Sequence, residues 1–177
     1  MLRFNAALLA ALLLLCGCAE VALQPTAQAP EFEFSGRFAL TYKGEGNSGN
    51  ISWRYGAAAE ELLITSPLGQ GVARIVRDGK QYTLTTPEPR QYSAPDAESL
   101  MERAVGVRLP LAGLADWVRA RPSQGASQPR YDAQGRLAEL EQSGWKVEYL
   151  EYADKLPMRL RLTYPGVELR LAITQWK

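Results

Sequence analysis

Few residues of this sequence could perform covalent chemistry, and the two most reactive lie together near its start. Cys16 and Cys18 are its cysteines, and its 177 residues include no histidine. A chain without histidine cannot form a Ser-His-Asp triad and lacks the most common zinc ligand in proteins. Thiol chemistry must therefore use Cys16 or Cys18, and the surrounding segment indicates how.

The two cysteines end a segment that has the layout of a secretory signal peptide. Arg3 supplies a positive charge, residues 6–15 form an unbroken apolar run, and small residues follow. The run is too short to be a comfortable membrane anchor, because a spanning helix needs about 20 apolar residues. We therefore predict that residues 1–17 are a signal peptide that is removed.

The stretch from Leu15 to Cys18 resembles the bacterial lipobox, in which a small residue precedes a cysteine that is lipidated and becomes the first mature residue. Cys18 matches because Gly17 precedes it, whereas bulky Leu15 precedes Cys16. The resemblance implies that Cys18 carries acyl chains such as palmitate. Ala19 follows it, and lipoproteins kept at the inner membrane of Gram-negative bacteria generally carry Asp there. The implied destination is the outer membrane, with the protein facing the periplasm.

Charge and composition describe what remains after cleavage. Without Arg3, the 20 Lys and Arg residues become 19, which balances the 19 Asp and Glu residues. A neutral chain argues against a nucleic-acid partner, which would need a basic face. Residues 18–31 lack an apolar period and are rich in Ala, Gln and Pro, so we predict a lipidated cysteine followed by a flexible tether. Residues 32–177 are long enough to form one domain with its own core.

The predicted domain shows an apolar period of two, which is typical of half-buried strands. The clearest example is residues 32–42, where aromatic and aliphatic side chains fall on every even position but one. Similar segments follow at 51–55, 62–65, 72–77, 81–85, 137–142, 145–152, 158–164 and 167–173. Such short, evenly spaced strands predict an antiparallel meander that curls into a barrel or part of one.

Two amphipathic segments interrupt these strands. Ser93 and Asp96 form a capping box before a segment whose apolar residues recur at i, i+3, i+4, i+7 and i+8 from Ala97. A second segment lies between Pro110 and Pro122. Its apolar stripe consists of Leu111, Leu114, Ala115 and Val118. Two helices inserted into a meander must cover one face or opening of the sheet, and the space beneath them decides whether a ligand can bind.

Other motifs that suggest catalysis are weak. Residues 44–49 match G-x-G-x-x-G, but strand-like residues follow instead of a phosphate-binding helix, so we interpret them as a flexible hairpin loop. Residues 143–146 match S-x-x-K without the companion motifs of penicillin-recognising enzymes, which favours a strand entry. Glu60 and Glu61 would point to opposite faces of a strand, and we interpret them as a solvated turn. The sequence therefore favours binding over catalysis, with no cofactor or metal ion.

The stretch TSPLGQG places an apolar residue inside a turn. Leu68 lies between Pro67 and Gly69, the residue types that most strongly interrupt regular structure. Two interpretations stay open from the sequence. Leu68 either folds back into the core or is held on a stiff turn for a bilayer or another apolar surface.

Several of these stretches together resemble the LolB family of outer-membrane lipoproteins, which receive other lipoproteins from the periplasmic carrier LolA. They run in order along the chain. They are the lipobox at Cys18, FSGRFAL at 34–40, ISWRY at 51–55, ELLITSPLGQ at 61–70, LPLAGLADWVRARP at 109–122, SGWKVEYLEY at 143–152, and the terminal LPMRLRLTY and LRLAITQW. The combination of SPLG, W-V-x-x-R-P and G-W-x-V-x-Y is specific.

The resemblance implies an antiparallel, incomplete β-barrel that is covered by a helical lid and encloses a hydrophobic cavity for acyl chains. It also implies that a loop formed by Ser66, Pro67, Leu68 and Gly69 helps to deliver the cargo to the outer membrane. Apolar positions on the predicted strands and helices supply the cavity candidates. They are Phe38, Leu40, Trp53, Ile64, Ile75, Tyr82, Leu100, Trp117 and Trp145. Trp117 lies off the stripe of its helix and is expected at the cavity edge.

By resemblance, the function is that of a non-enzymatic receptor, lipid-anchored in the outer membrane and acting as a monomer. Its partners would be a LolA-type carrier, the acyl chains of the cargo and the outer membrane. Two alternatives remain open, because an apolar cavity does not name its ligand. One is a binding protein for another amphiphile, such as a phospholipid or lipopolysaccharide. The other is a structural envelope lipoprotein with a filled core.

Overall fold

The computed structural model of the protein describes residues 29–88, 91–105 and 109–177. Cys18, the signal peptide and most of the predicted tether lie outside these residues. The described chain forms eleven strands and two helices. In chain order they are β1 (Phe32–Tyr42), β2 (Glu45–Tyr55), β3 (Ala59–Thr65), β4 (Gly71–Asp78), β5 (Gln81–Thr85), β6 (Gln91–Ala94), α1 (Ala97–Val105), α2 (Leu111–Trp117), β7 (Ser127–Tyr131), β8 (Leu137–Gln142), β9 (Trp145–Ala153), β10 (Leu156–Tyr164) and β11 (Val167–Trp176).

The strands form one open antiparallel sheet in the order β6-β5-β4-β3-β2-β1-β11-β10-β9-β8-β7. Strands that follow one another in sequence pair, except β6 and β7, and β1 also pairs with β11, which joins the two halves of the chain. The sheet does not close, because β6 and β7 are its two edges. This confirms the mainly β, incomplete-barrel architecture that the alternation and the resemblance predicted.

One face of the sheet, here called the inner face, carries the buried side chains. A row of apolar residues crosses five neighbouring strands at matching register positions, and each of its members is at most 4% exposed. The row consists of Phe34, Trp53, Leu62, Ile75 and Leu84. Fully burying one such aliphatic or phenylalanine side chain stabilises a fold by about 1.5–3 kcal/mol. The period of two therefore produces both the sheet and its core.

The glycine-rich stretch at 44–49 is not the flexible loop that we predicted. The β1–β2 turn is formed by Lys43 and Gly44, which have φ angles of 50° and 84°, and β2 begins at Glu45. A two-residue turn with positive φ matches the twist of its flanking strands, so pairing continues up to the turn. Gly49 lies within β2 and has no room for a side chain, because a Cβ there would lie 2.2 Å from the Thr65 carbonyl oxygen.

Both helices form where the sequence predicted them. The N-terminus of α1 differs in detail, because Asp96 Oδ1 accepts a hydrogen bond from the Ser99 amide at 2.7 Å while Ser93 lies in β6. Helix α1 packs on β5 and β6, and Ala97 and Leu100 are buried. The predicted apolar stripe of α2 is buried as well. Within the described residues, neither helix has the length and apolar character needed to span a bilayer.

Candidate functional site: an inner face under two helices and an exposed leucine loop

The predicted cavity residues all lie on the inner face or on the two helices that cover it. They differ in burial. One group is 5% exposed or less: Trp53, Ile75, Leu100, Trp117 and Trp145. A second group is only partly buried: Phe38, Leu40, Ile64 and Tyr82. The division indicates that part of the inner face is packed core and part is accessible.

The packed part, here called the closed end, surrounds Phe32 at the beginning of β1. The Phe32 ring contacts Trp53 edge-on at 5.3 Å between centroids and stacks on Tyr55 at 5.1 Å. Arg119, just after α2, places its guanidinium 5.2 Å from the Phe32 ring centroid and pairs with Glu31 at 3.0 Å. The aromatic cluster is therefore covered by a cation whose charge is itself paired.

The accessible part, here called the open end, lies farther along β1. Phe38 and Leu40 point to the inner face at this end but are only partly buried. Their partners on β2 are Gly49 and Asn47. Both β1 residues also lie opposite leucines of β11, so it is on the β2 side that they lack apolar cover, whereas Phe34 lies opposite Trp53 there.

Helix α2 is fixed to the sheet by buried hydrogen bonds. The Trp117 indole Nε1 donates to Gln142 Oε1 at 2.9 Å, and Gln142 Nε2 donates to the Ser123 carbonyl at 2.8 Å. The Tyr149 hydroxyl donates to the Trp117 carbonyl at 2.9 Å, and burial raises the pKa of Tyr149, which keeps it a neutral donor. Trp117 is 1% exposed, so it is buried more deeply than its place off the helix stripe suggested.

Our interpretation of Glu60 and Glu61 as a solvated turn is wrong. Both lie in β3, where Glu61 faces outward and Glu60 is 4% exposed on the inner face. Glu60 accepts a hydrogen bond from the Trp53 indole at 2.9 Å and lies 3.4 Å from Arg77 Nε. Desolvation raises the pKa of Glu60, while the bonds from Trp53 and Arg77 oppose that rise. The strand register, which the sequence pattern does not fix, places Glu60 opposite Arg77.

The loop between β3 and β4 leaves Leu68 90% exposed. The Gly69 amide donates to the Ser66 carbonyl at 2.9 Å, and Gly69 has a φ of 87°. Asn50 on β2 also donates from Nδ2 to the Ser66 carbonyl, at 3.0 Å. Pro67 at the second position of such a turn restricts it further. Of the two interpretations left open, the structure therefore excludes the one in which Leu68 folds back into the core.

The register places this loop at the open end of the inner face. Thr65 pairs with Asn50, which pairs in turn with Arg37 on β1. Because β3 runs in the same direction as β1, the loop after Thr65 continues toward the level of Leu40. The exposed Leu68 and the partly covered apolar surface therefore share one end of the sheet.

A pocket of about 360 Å³ lies where the helices meet the sheet. It is lined by Glu98, Pro110, Gly113, Trp117, Ser123, Ser143, Trp145 and Tyr164. Its volume falls within the range of about 300–1,000 Å³ that is usual for ligand pockets. In the described part of the chain, no group of three or more His, Cys, Asp or Glu residues could hold a metal ion. The lining of the pocket combines the rings of Trp117, Trp145 and Tyr164 with the polar side chains of Glu98, Ser123 and Ser143.

Comparison with known proteins finds relatives that match most of the chain. The chain is 40% identical over 169 residues to the outer-membrane lipoprotein LolB of Thiobacillus denitrificans, covering 91% of this chain and 90% of that protein. It is 35% identical over 180 residues to the LolB of Chromobacterium violaceum, covering 96% and 97%. A LolA superfamily protein from Nitrosomonas europaea shares the fold, with a TM-score of 0.51, 11% identity and coverage of 85% and 87%.

The family model described as outer membrane lipoprotein LolB matches residues 30–176, which include every strand and both helices of the sheet and lid. The matched region also contains the exposed leucine loop and both ends of the inner face. By this match and by the identity to its members, the chain belongs to the LolB family of outer-membrane lipoproteins.

Proposed function

We propose that the protein accepts lipoproteins from a LolA-type periplasmic carrier, holds their acyl chains against its inner face, and inserts them into the outer membrane. As a member of the LolB family, it is an outer-membrane lipoprotein and a receptor of the lipoprotein localisation pathway. One observation carries the detailed proposal. The 90% exposed Leu68 lies at the same end of the sheet as the partly covered Phe38 and Leu40.

The physical chemistry of acyl chains requires such an arrangement. Exposing a chain to water costs about 0.8 kcal/mol per methylene group, so a long chain cannot cross the periplasm free in solution. Transfer directly from one apolar surface to another avoids that cost and needs no nucleotide hydrolysis. The open end supplies an apolar surface that is already partly accessible. Such a transfer requires no catalytic step by the protein.

The lipidated Cys18 and the tether that follows it would hold the domain at the outer membrane. Lipidation of Cys18 with two or three acyl chains would hold the protein firmly at the membrane, because a single chain gives only marginal binding. About 13 extended residues between Cys18 and the domain could reach roughly 40 Å. A monomeric domain beginning at residue 32 could then face the carrier and turn toward the bilayer while it stays attached.

Leu68 would act at the delivery step. Its turn is held by backbone hydrogen bonds and by Asn50, so the side chain projects without support from the core. Burying one exposed leucine in the bilayer surface would contribute about 1.5–3 kcal/mol. We propose that this contact brings the open end against the membrane long enough for the cargo to leave.

The test uses the full-length lipidated protein in liposomes of phosphatidylethanolamine and phosphatidylglycerol, mixed with carrier that holds a labelled lipoprotein. Leu68→Glu should leave folding unchanged, because a 90% exposed turn residue tolerates charge. It should still accept the label from the carrier but should pass at least tenfold less of it into the liposomes. Leu150→Glu is the matched control, because Leu150 is 55% exposed on the other face of the sheet.

Two results would contradict the proposal. Normal delivery by Leu68→Glu would remove the loop from the mechanism. Retention of the label on the carrier in the presence of folded wild-type protein would remove the receptor role. Mass spectrometry of lipids that copurify with the protein would then show whether a phospholipid or lipopolysaccharide is the ligand.

A further inference from the structure

We infer that the 360 Å³ pocket beside α2 is the portal through which an acyl chain enters, and that Tyr164 is the outermost residue to bind it. The inference deepens the proposed function and rests on it. The ligand is a saturated hydrocarbon chain of the cargo lipoprotein. Tyr164 was not among the residues that the sequence suggested for the cavity.

The entry point matters because much of the interior is filled. Phe34, Trp53 and Leu100 have no measurable exposure, and Trp117 is 1% exposed. An acyl chain cannot enter such close packing without first displacing side chains. It must begin at a place where apolar surface already meets solvent.

The pocket provides such a place through three aromatic rings. Tyr164 stacks on Trp145, with centroids 5.2 Å apart and ring planes 27° apart. Trp145 contacts Trp117 at 6.3 Å between centroids. Exposure falls along this series from 45% at Tyr164 to 5% at Trp145 and 1% at Trp117. The three rings thus form a continuous apolar path from solvent to the surface beneath α2.

Two glycines let the rings lie close to the backbone. A Cβ on Gly144 would be 3.0 Å from Tyr164 Cε2, and Gly144 has a φ of 79°, which L side chains rarely adopt. A Cβ on Gly113 would be 3.1 Å from Trp117 Cζ2. Side chains at these positions would push the rings away from the backbone and narrow the pocket between them.

Two polar groups beside the portal, the Trp117 indole N–H and the Ser123 hydroxyl, are already hydrogen-bonded within the protein. The Trp117 Nε1 is satisfied by Gln142, which also bonds to Ser123. The indole faces are therefore left for apolar contact. Glu98 of α1 is the one carboxylate among the lining residues of this pocket. It lies in the first turn of α1 and is partly exposed, so it belongs to the rim.

The experiment uses a tripalmitoylated cysteinyl peptide whose palmitoyl chains carry bromine atoms, because bromine quenches tryptophan fluorescence only at short range. The full-length protein has four tryptophans. If the portal is correct, the quenched fraction should fall in Trp145→Phe and rise in Trp176→Phe. Trp176 is the control because it lies against Phe32 and Phe34 at the closed end.

A second pair of variants tests Tyr164 itself. Tyr164→Ala should weaken binding of the peptide about fivefold, which is the loss of affinity expected when one aromatic contact is removed. Tyr164→Phe should bind the peptide normally, because the face of the ring makes the contact. Tyr164 is 45% exposed, so both variants should fold. Equal quenching of Trp145 and Trp176, or unchanged affinity in Tyr164→Ala, would overturn the portal while leaving the receptor role standing. Absence of any binding by calorimetry would instead reject the proposed function.

Discussion

The closed and open ends of the inner face are built from the same strands but are packed very differently. At the closed end, β1 pairs an aromatic with an aromatic, as in Phe34 opposite Trp53, and both are fully buried. At the open end, the same strand pairs Phe38 with Gly49 and Leu40 with Asn47. Although Phe38 and Leu40 also pair with leucines of β11, β1 thus changes from core to accessible surface through its partners on β2, without any change in its own pattern.

Under the proposed function, this difference separates the residues that stabilise the fold from those that contact the cargo. The closed end concentrates ring contacts and buried polar bonds around Trp53, and these resist opening. The open end carries apolar groups whose burial is incomplete in the free protein. A bound acyl chain could complete that burial and could be released again, because little of the fold depends on it.

Among substitutions that distinguish the closed end from the open end, Trp53→Ala should have the largest effect on stability. This change removes a fully buried ring and leaves Glu60 without the indole donor, so the unfolding free energy should fall by about 4 kcal/mol. Phe38→Ala, at the open end of the same face, should cost about 1 kcal/mol, because Phe38 is only partly buried. Urea unfolding of the two variants measures the difference. Similar losses would show that both ends belong to one core.

A smaller effect is expected where the helical lid meets the sheet. Gln142→Leu should leave Trp117 Nε1 and the Ser123 amide without their acceptor and should lower the unfolding free energy by about 2 kcal/mol. Tyr149→Phe, which removes one donor to the Trp117 carbonyl, should cost about 1 kcal/mol. Hydrogen exchange at the amides of α2 should accelerate more in the first variant. Exchange that is unchanged in both would mean that apolar packing alone fixes α2.

Much of the fold followed from the sequence because its alternation is strong where strands are buried on one face. The pattern at 32–42 and at 158–164 predicted β1 and β10, and the stripe between Pro110 and Pro122 predicted α2. The edge strands β6 and β7 were missed. Their residues are mostly polar and exposed, so burial imposes no alternation on them.

The candidate site was predicted less completely, and for a different reason. The sequence could place Phe38 and Trp53 on one face, but their different burial depends on β2 partners that are known only once the register is fixed. The same holds for Glu60, whose partner Arg77 lies across a hairpin. Leu68 was ambiguous because turn residues alone do not set the direction in which a side chain points. For Tyr164, the sequence predicted only a position in a strand and nothing that indicated a place in the binding site.

The smallest predicted effect concerns the pH dependence of the closed end. Folding moves the Glu60 carboxyl into a desolvated site and raises its pKa above the ordinary value of 4.5, so the native state binds more protons than the unfolded state as the pH rises above that value. The contribution of Glu60 to stability should therefore be fully present at low pH and should decline as the pH rises through its raised pKa.

Glu60→Gln removes this titration, so the melting temperature of the wild type should fall relative to that of the variant as the pH rises above about 4.5. The change should be modest, because the Trp53 and Arg77 bonds offset part of the desolvation. Glu61→Gln removes the same charge from the outer face, and comparison with it isolates the contribution of burial. A wild type that gains stability over Glu60→Gln as the pH rises would mean that the ion pair with Arg77 outweighs desolvation, and that the closed end is held by charge as much as by its aromatic rings.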